Sequence, residues 1–87
     1  MKALSNGLVF DTENSTLVVE HVSKEYGTSK IYRTEKGNYF IHYCRLEEND
    51  TIEYLKNGVL DVDDFIEEWN SVFEEQAVIK FEEFEIG

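Results

Sequence analysis

The alternation of apolar and polar positions predicts strands through the first half of the chain and a helix late in it. In "LVFDTENSTLVVEHV" two β-rich runs flank the polar cluster Thr12-Glu13-Asn14-Ser15, which predicts a hairpin with strands at 8–11 and 16–22. The polar stretch "KEYGTSK" follows, punctuated by Gly27. "KIYRTEKGNYFIHYC" predicts a second hairpin, in which Gly37 supplies the left-handed residue of a tight loop. Along 38–44, Tyr39, Ile41 and Tyr43 share one face while Phe40, His42 and Cys44 share the other. Both faces are partly apolar, so this strand belongs in the interior of its sheet.

The period changes in "LDVDDFIEEWNSVFEE". Phe65, Ile66, Trp69, Val72 and Phe73 recur at helical spacing over an arc of roughly 120°, and Asp61 is placed to cap the N-terminus. A helix over about 61–75 is predicted, ended by Gln76 or Ala77. "AVIKFEEFEI" returns to strand, with Ile79 and Phe81 in phase and Phe84 and Ile86 out of phase. A bulge or break at Glu82-Glu83 is therefore expected. Between hairpin and helix, "RLEENDTIEYLKNGV" predicts a short helix over about 49–56, stopped at Asn57-Gly58, with a hairpin turning at those two residues as the alternative. The whole is one α+β domain, 1–87: an antiparallel sheet of two N-terminal hairpins plus a C-terminal strand, with helix on one face.

Composition narrows what such a domain can do. The chain has 87 residues, 41% of them hydrophobic and 14% aromatic, enough for a small core. Cys44 is the one cysteine, so no internal disulfide is available. Residues 1–10 carry no apolar run resembling a secretory signal, and no stretch approaches a membrane span of ~20 apolar residues. The expected compartment is a reducing one, the cytoplasm. The net charge is −11 and is unevenly spread: residues 61–87 hold ten acids and one base, Lys80. That excess argues against direct binding to nucleic acid or an anionic membrane and favours a basic partner.

Catalytic and metal signatures are sparse. The chain has no P-loop, GxGxxG or GxSxG sequence. His42 and Cys44, two apart on a strand, make at most three soft ligands with His21, without CxxC or HxxxH spacing, and a buried face explains them more simply. "EYLKNGVLDVDDF" resembles an EF-hand calcium loop, with Glu53, Asn57, Gly58, Leu60, Asp61 and Asp64 at positions 1, 5, 6, 8, 9 and 12. Position 3 is Leu55, which offers no side-chain oxygen, and the shorter Asp64 stands where Glu is usual. No enzyme activity, cofactor or metal is expected.

The acidic helix carries more information. On a helical wheel Asp63, Glu67 and Glu74 form one stripe and Asp64, Glu68 and Glu75 an adjacent one, both opposite the apolar arc. Each stripe runs ~16 Å, a length that spans roughly five phosphates of a nucleic-acid strand. Asp63/Glu67 and Asp64/Glu68 are like charges at i,i+4, unfavourable by ~0.2–0.5 kcal/mol each. Glu74 and Glu75 lie at the helix end where the dipole disfavours anions. Stability alone would have placed Lys or Arg at some of these positions. The expected partner-binding surface is Asp63, Asp64, Glu67, Glu68, Glu74 and Glu75, extended by Glu82, Glu83 and Glu85.

Two likenesses bear on context. Gly7, Phe10, Asp11, Thr12 and Glu13, followed by Ile31, Tyr32, Arg33, Thr34, Gly37, Tyr39 and Phe40, resemble a pair of hairpin segments found in small proteins of bacteriophages and mobile elements of Gram-positive bacteria. This covers roughly the first half of the chain and implies a fold more than a function. In size and acidity the chain is also similar to phage-encoded inhibitors of bacterial defence, anti-CRISPR proteins among them, several of which mimic nucleic acid. The likeness implies a non-enzymatic inhibitor that occupies a basic nucleic-acid-binding surface in the cytoplasm of a bacterial host cell. The alternatives are an immunity or antitoxin protein covering a toxin's cationic active site, a degenerate EF-hand-like module, or a domain that is acidic only for solubility.

Overall fold

The computed structural model describes residues 1–23, 27–46, 48–72 and 78–80. In chain order these form β1 (Lys2–Ser5), β2 (Leu8–Asp11), a 3-10 turn (Thr12–Asn14), β3 (Thr16–Ser23), β4 (Gly27–Arg33), β5 (Tyr39–Arg45), β6 (Thr51–Leu55), α1 (Val59–Val72) and β7 (Val78–Lys80). The class is α+β. An antiparallel five-stranded sheet has the order β6-β5-β4-β3-β7, and β1 and β2 make a separate two-stranded ribbon.

The expected pairing of 8–11 with 16–22 does not form. β2 pairs instead with β1, from Lys2↔Asp11 to Ser5↔Leu8. The turn between them is Asn6-Gly7, both at positive φ (52° and 78°), the geometry that matches the natural twist of a hairpin. The polar cluster 12–15, read as a hairpin turn, is instead a 3-10 turn. Asp11 caps it by accepting the Glu13 N–H at 3.0 Å, which holds its carboxyl below the usual carboxylate range, and the chain leaves toward a different sheet. β3 then pairs with β4 from Thr16↔Arg33 to Ser23↔Gly27, with a bulge between Leu17 and Val19.

The hairpin of β4 and β5 forms as the sequence predicts, in continuous register from Gly27↔Arg45 to Arg33↔Tyr39. Gly37 sits at φ 87° in its loop, donating its N–H to the Thr34 carbonyl at 3.0 Å. β5 is an interior strand, as its two apolar faces require. The short helix expected over 49–56 is absent: 51–55 is β6, paired with β5 from Tyr43↔Thr51 to Tyr39↔Leu55. Alternation decides this, because Leu55 turns into the core while Ile52 and Tyr54 serve the opposite face. Nor does Asn57-Gly58 turn a hairpin; the turn there leads into α1.

α1 begins at Val59, two residues before the predicted start. Asp61 is therefore inside the first turn and not the cap. Its carboxylate reaches back to accept the Asn57 N–H at 2.9 Å and the Asn57 side-chain amide at 3.2 Å. Val62, Ile66 and Trp69 bury against Val18, Val19, Ile31, Tyr39, Ile41 and Leu55, with Phe65 and Tyr43 half-buried at the margin. The helix thus crosses one face of the sheet from β6 to β3, and β7 follows beside β3, antiparallel, from His21↔Val78 to Val19↔Lys80. On the other face the ribbon brings the Phe10 ring to 4.9 Å from Phe40 and 5.4 Å from Tyr54, and Tyr32 stacks on Phe40 at 5.2 Å. The bulge or break expected at Glu82-Glu83, the residues Val72 and Phe73 as core contributors, and the helix end at Gln76 or Ala77 fall outside what the structure describes.

β4 begins at a position that tolerates only glycine. Gly27 has φ 113°, and a Cβ built there lands on the Cys44 carbonyl oxygen of the neighbouring strand. Neither atom can yield without parting β4 from β5. Gly27→Ala is expected to destabilise by ~2–4 kcal/mol, overpacking and backbone strain acting together, measured as a lowered urea midpoint; an unchanged midpoint would contradict this register.

Candidate functional site

Two constellations stand apart from the packing of the fold. The first is the outer face of α1. Asp63, Asp64, Glu67 and Glu68 are exposed, on the side away from Val62, Ile66 and Trp69. The helix contains no Lys, Arg or His. Among the described residues the ion pairs are His42–Asp50 and Arg45–Glu48, neither on the helix. Helical rise spreads the four carboxylates over ~7.5 Å of axis, about two phosphate spacings. Glu74, Glu75, Glu82, Glu83 and Glu85 lie outside the described residues.

The sequence reading missed Glu53 as part of this surface. It is exposed on β6, one row from Tyr43. Burial pushes the Tyr43 hydroxyl above its usual range, and the charges of Glu53 and Glu68 push it further, so sheet and helix acids converge there. Arg45 works against them, lying 5.1 Å over the Tyr43 ring, but it is also tied to Glu48 at 2.7 Å. Alternation along β6 is the signal that puts Glu53 beside α1.

The EF-hand resemblance dissolves in three dimensions. Glu53 is on a strand, so no helix precedes the loop; Leu55 is core; and Asp61 is committed to Asn57. A calorimetric calcium titration is expected to show no micromolar site, and a one-to-one micromolar isotherm lost in Asp61→Ala would overturn this reading.

The second constellation lies on the sheet face opposite α1. His42 is 7% exposed. Its imidazole donates from Nε2 to the Asp50 carboxylate at 3.1 Å. The Cys44 sulfur lies 3.6 Å from Nε2 and 3.7 Å from Nδ1. One donor atom from each of the three residues falls within 4.8 Å of the others. His42 and Cys44 share this face because they are two apart on β5, as the sequence predicts. Asp50 joins them from the connection immediately before β6, a contact hidden as long as 49–56 is read as helix. His21, the third soft ligand considered, goes to the other face and stacks on Trp69 at 4.8 Å.

Cysteine, histidine and carboxylate in contact are also the parts of a nucleophilic triad. Here the sulfur is nearly equidistant from both ring nitrogens, beside the ring and off the axis of either lone pair. Burial pushes the thiol above its ordinary pKa, and Asp50 adds to the effect, with Lys30 opposing. An activated cysteine needs the opposite shift. Comparison with protein-family models, curated proteins and solved structures gives no match.

Proposed function

We propose that this protein acts by binding and not by catalysis, presenting the outer face of α1 to a basic, nucleic-acid-binding surface of another protein. The observation that supports it is a helix with four exposed carboxylates, two like-charged i,i+4 pairs and no Lys, Arg or His of its own between Val59 and Val72. Asp63 and Asp64 suit the helix N-terminus, but the Asp63/Glu67 and Asp64/Glu68 repulsions give a merely solvated helix nothing. A partner that ordinarily grips phosphates meets a similar line of negative charge and is blocked. This is the action of a phage-encoded inhibitor of a bacterial defence effector, of the anti-CRISPR type.

The test is affinity capture from a bacterial lysate on the immobilised protein. A captured partner should elute with rising salt, and should be displaced by duplex DNA or RNA at low salt. Capture that survives high salt and is indifferent to nucleic acid would refute phosphate mimicry. A captured nuclease toxin in place of a defence effector would move the protein to the immunity class while leaving the physics intact.

A further inference from the structure

We propose that His42, Cys44 and Asp50 form a binding site for zinc, or for a divalent cation of similar softness, on the sheet face opposite α1. The proposal is independent of the acidic helix. The donor set is imidazole nitrogen, thiolate sulfur and carboxylate oxygen, the three protein ligand types zinc prefers. Tetrahedral zinc with bonds of ~2.0–2.1 Å to N and O and ~2.3 Å to S sets edges of about 3.4 Å for N···O and about 3.6 Å for N···S. The structure has 3.1 Å between His42 Nε2 and Asp50 Oδ2 and 3.6 Å between Nε2 and Cys44 Sγ. On binding, Nε2 gives up its proton, the neutral imidazole keeping one on Nδ1, and the thiol releases its proton to solvent; the N···O edge opens by a few tenths of an ångström and Sγ swings about χ1 toward the ion.

The backbone supports this placement. His42 and Cys44 are on the interior strand β5, held by β4 on one side, and His42 is also held by β6 on the other. Close approach of the Gly27 backbone to Cys44 fixes the strand at that point. The carboxylate is exposed and the thiol half-buried, so an ion has an entry path. Thiolate and carboxylate together balance a divalent charge. Lys30, cross-strand from His42 on the same face, and Glu20 beside it in register are the nearest charges from β4 and β3. Three protein ligands leave the fourth position to water. The bound ion would clip the start of β6 to the middle of the sheet.

The full chain, stripped with chelator and kept reduced, is titrated with cobalt as the optical stand-in for zinc. The expected result is saturation at one equivalent, with the visible bands of tetrahedral cobalt and a near-ultraviolet thiolate-to-cobalt band, both removed by added zinc. Cys44→Ser should abolish the thiolate band, and Asp50→Asn, an exposed change that retains the hydrogen bond to His42, should weaken binding by about tenfold or more. Zinc should raise the melting temperature of the wild type and not of Cys44→Ser, with circular dichroism reporting that both are folded. The thiolate band separates this site from loose cation binding by an acidic chain. Absence of that band at one equivalent, its persistence in Cys44→Ser, or unchanged affinity in Asp50→Asn would each overturn the site.

Discussion

Changing Glu67 and Glu68 to Lys and Asp63 and Asp64 to Asn is expected to abolish partner binding and leave the fold intact. The four side chains are exposed and point away from Val62, Ile66 and Trp69, so no core contact is lost. Removing two like-charge pairs favours the helix by ~0.2–0.5 kcal/mol each. Losing Asp63 and Asp64 near the helix N-terminus disfavours it by ~0.3–1 kcal/mol each, so the net change in stability is small. Asp61 is left in place because it holds Asn57 at the start of α1. The face goes from four negative charges to two positive ones, so a basic partner of the kind proposed would be repelled where it had been steered. Electrostatic steering raises association rates by ~100-fold or more over neutral encounters, so the loss should be seen first in the association rate. Circular dichroism on the variant guards against unfolding. Reversal of Glu13 and Glu35, exposed on the far turns, is the matched control and should leave binding unchanged. If the helix variant bound at the wild-type rate while the turn variant did not, the functional surface would belong to the turns, and the acidic helix would serve solubility alone.

What the sequence made legible follows from the reach of each signal. The β4–β5 hairpin and α1 were readable because their evidence is local: strict alternation about Gly37 in one, a 3.6-residue apolar period in the other. Pairing was less readable because a strand's own sequence does not name its neighbour. The run 8–11 has β character whichever partner it takes. The decisive signal was Asn6-Gly7, a two-residue turn whose chemistry pairs 8–11 backward to 2–5, and it outranks the four polar residues at 12–15, which suit a 3-10 turn equally well. The segment 49–56 went wrong for a related reason. Asp50, Glu53 and Asn57-Gly58 fit a capped helix, whereas only the open edge of β5 makes it a strand.

The candidate sites divide along the same line. The acidic face of α1 was visible because helical periodicity alone places Asp63, Asp64, Glu67 and Glu68 together. Glu53 and Asp50 were invisible in their roles because both depend on β6 being a strand. With β6 in place, Glu53 joins the acids near Tyr43 on one side of the sheet, and Asp50 meets His42 and Cys44 on the other. A single misread element therefore concealed one member of each constellation.

Trp69→Ala is expected to be the most destabilising single substitution considered. Trp69 is 5% exposed, stacks on His21 of β3 at 4.8 Å and 12°, and touches Phe65 at 5.6 Å. It is thus the contact that fastens the far end of α1 to the sheet. Truncation to Ala forfeits the transfer free energy of the ring and leaves a cavity, together ~3–5 kcal/mol. A domain of this size has only about 5–10 kcal/mol of stability, so roughly half is removed. Each kcal/mol moves the melting temperature of such a domain by ~4–8 °C, and a fall of more than about 12 °C should be seen. Trp69→Phe keeps an apolar ring over His21 and should cost less than half as much, which separates loss of packing from any loss of a polar contact. The chain has one tryptophan, so its fluorescence reports this site alone: blue-shifted emission in the native protein, moving to that of free tryptophan on unfolding. The loss should act on partner binding only through the unfolded fraction, because Trp69 faces the sheet and the carboxylates face outward. Titrated well below its melting temperature, Trp69→Ala should bind at the wild-type rate once corrected for the folded fraction. Native emission matching free tryptophan, or a Trp69→Ala urea midpoint equal to that of the wild type, would show that α1 does not pack on the sheet through this residue.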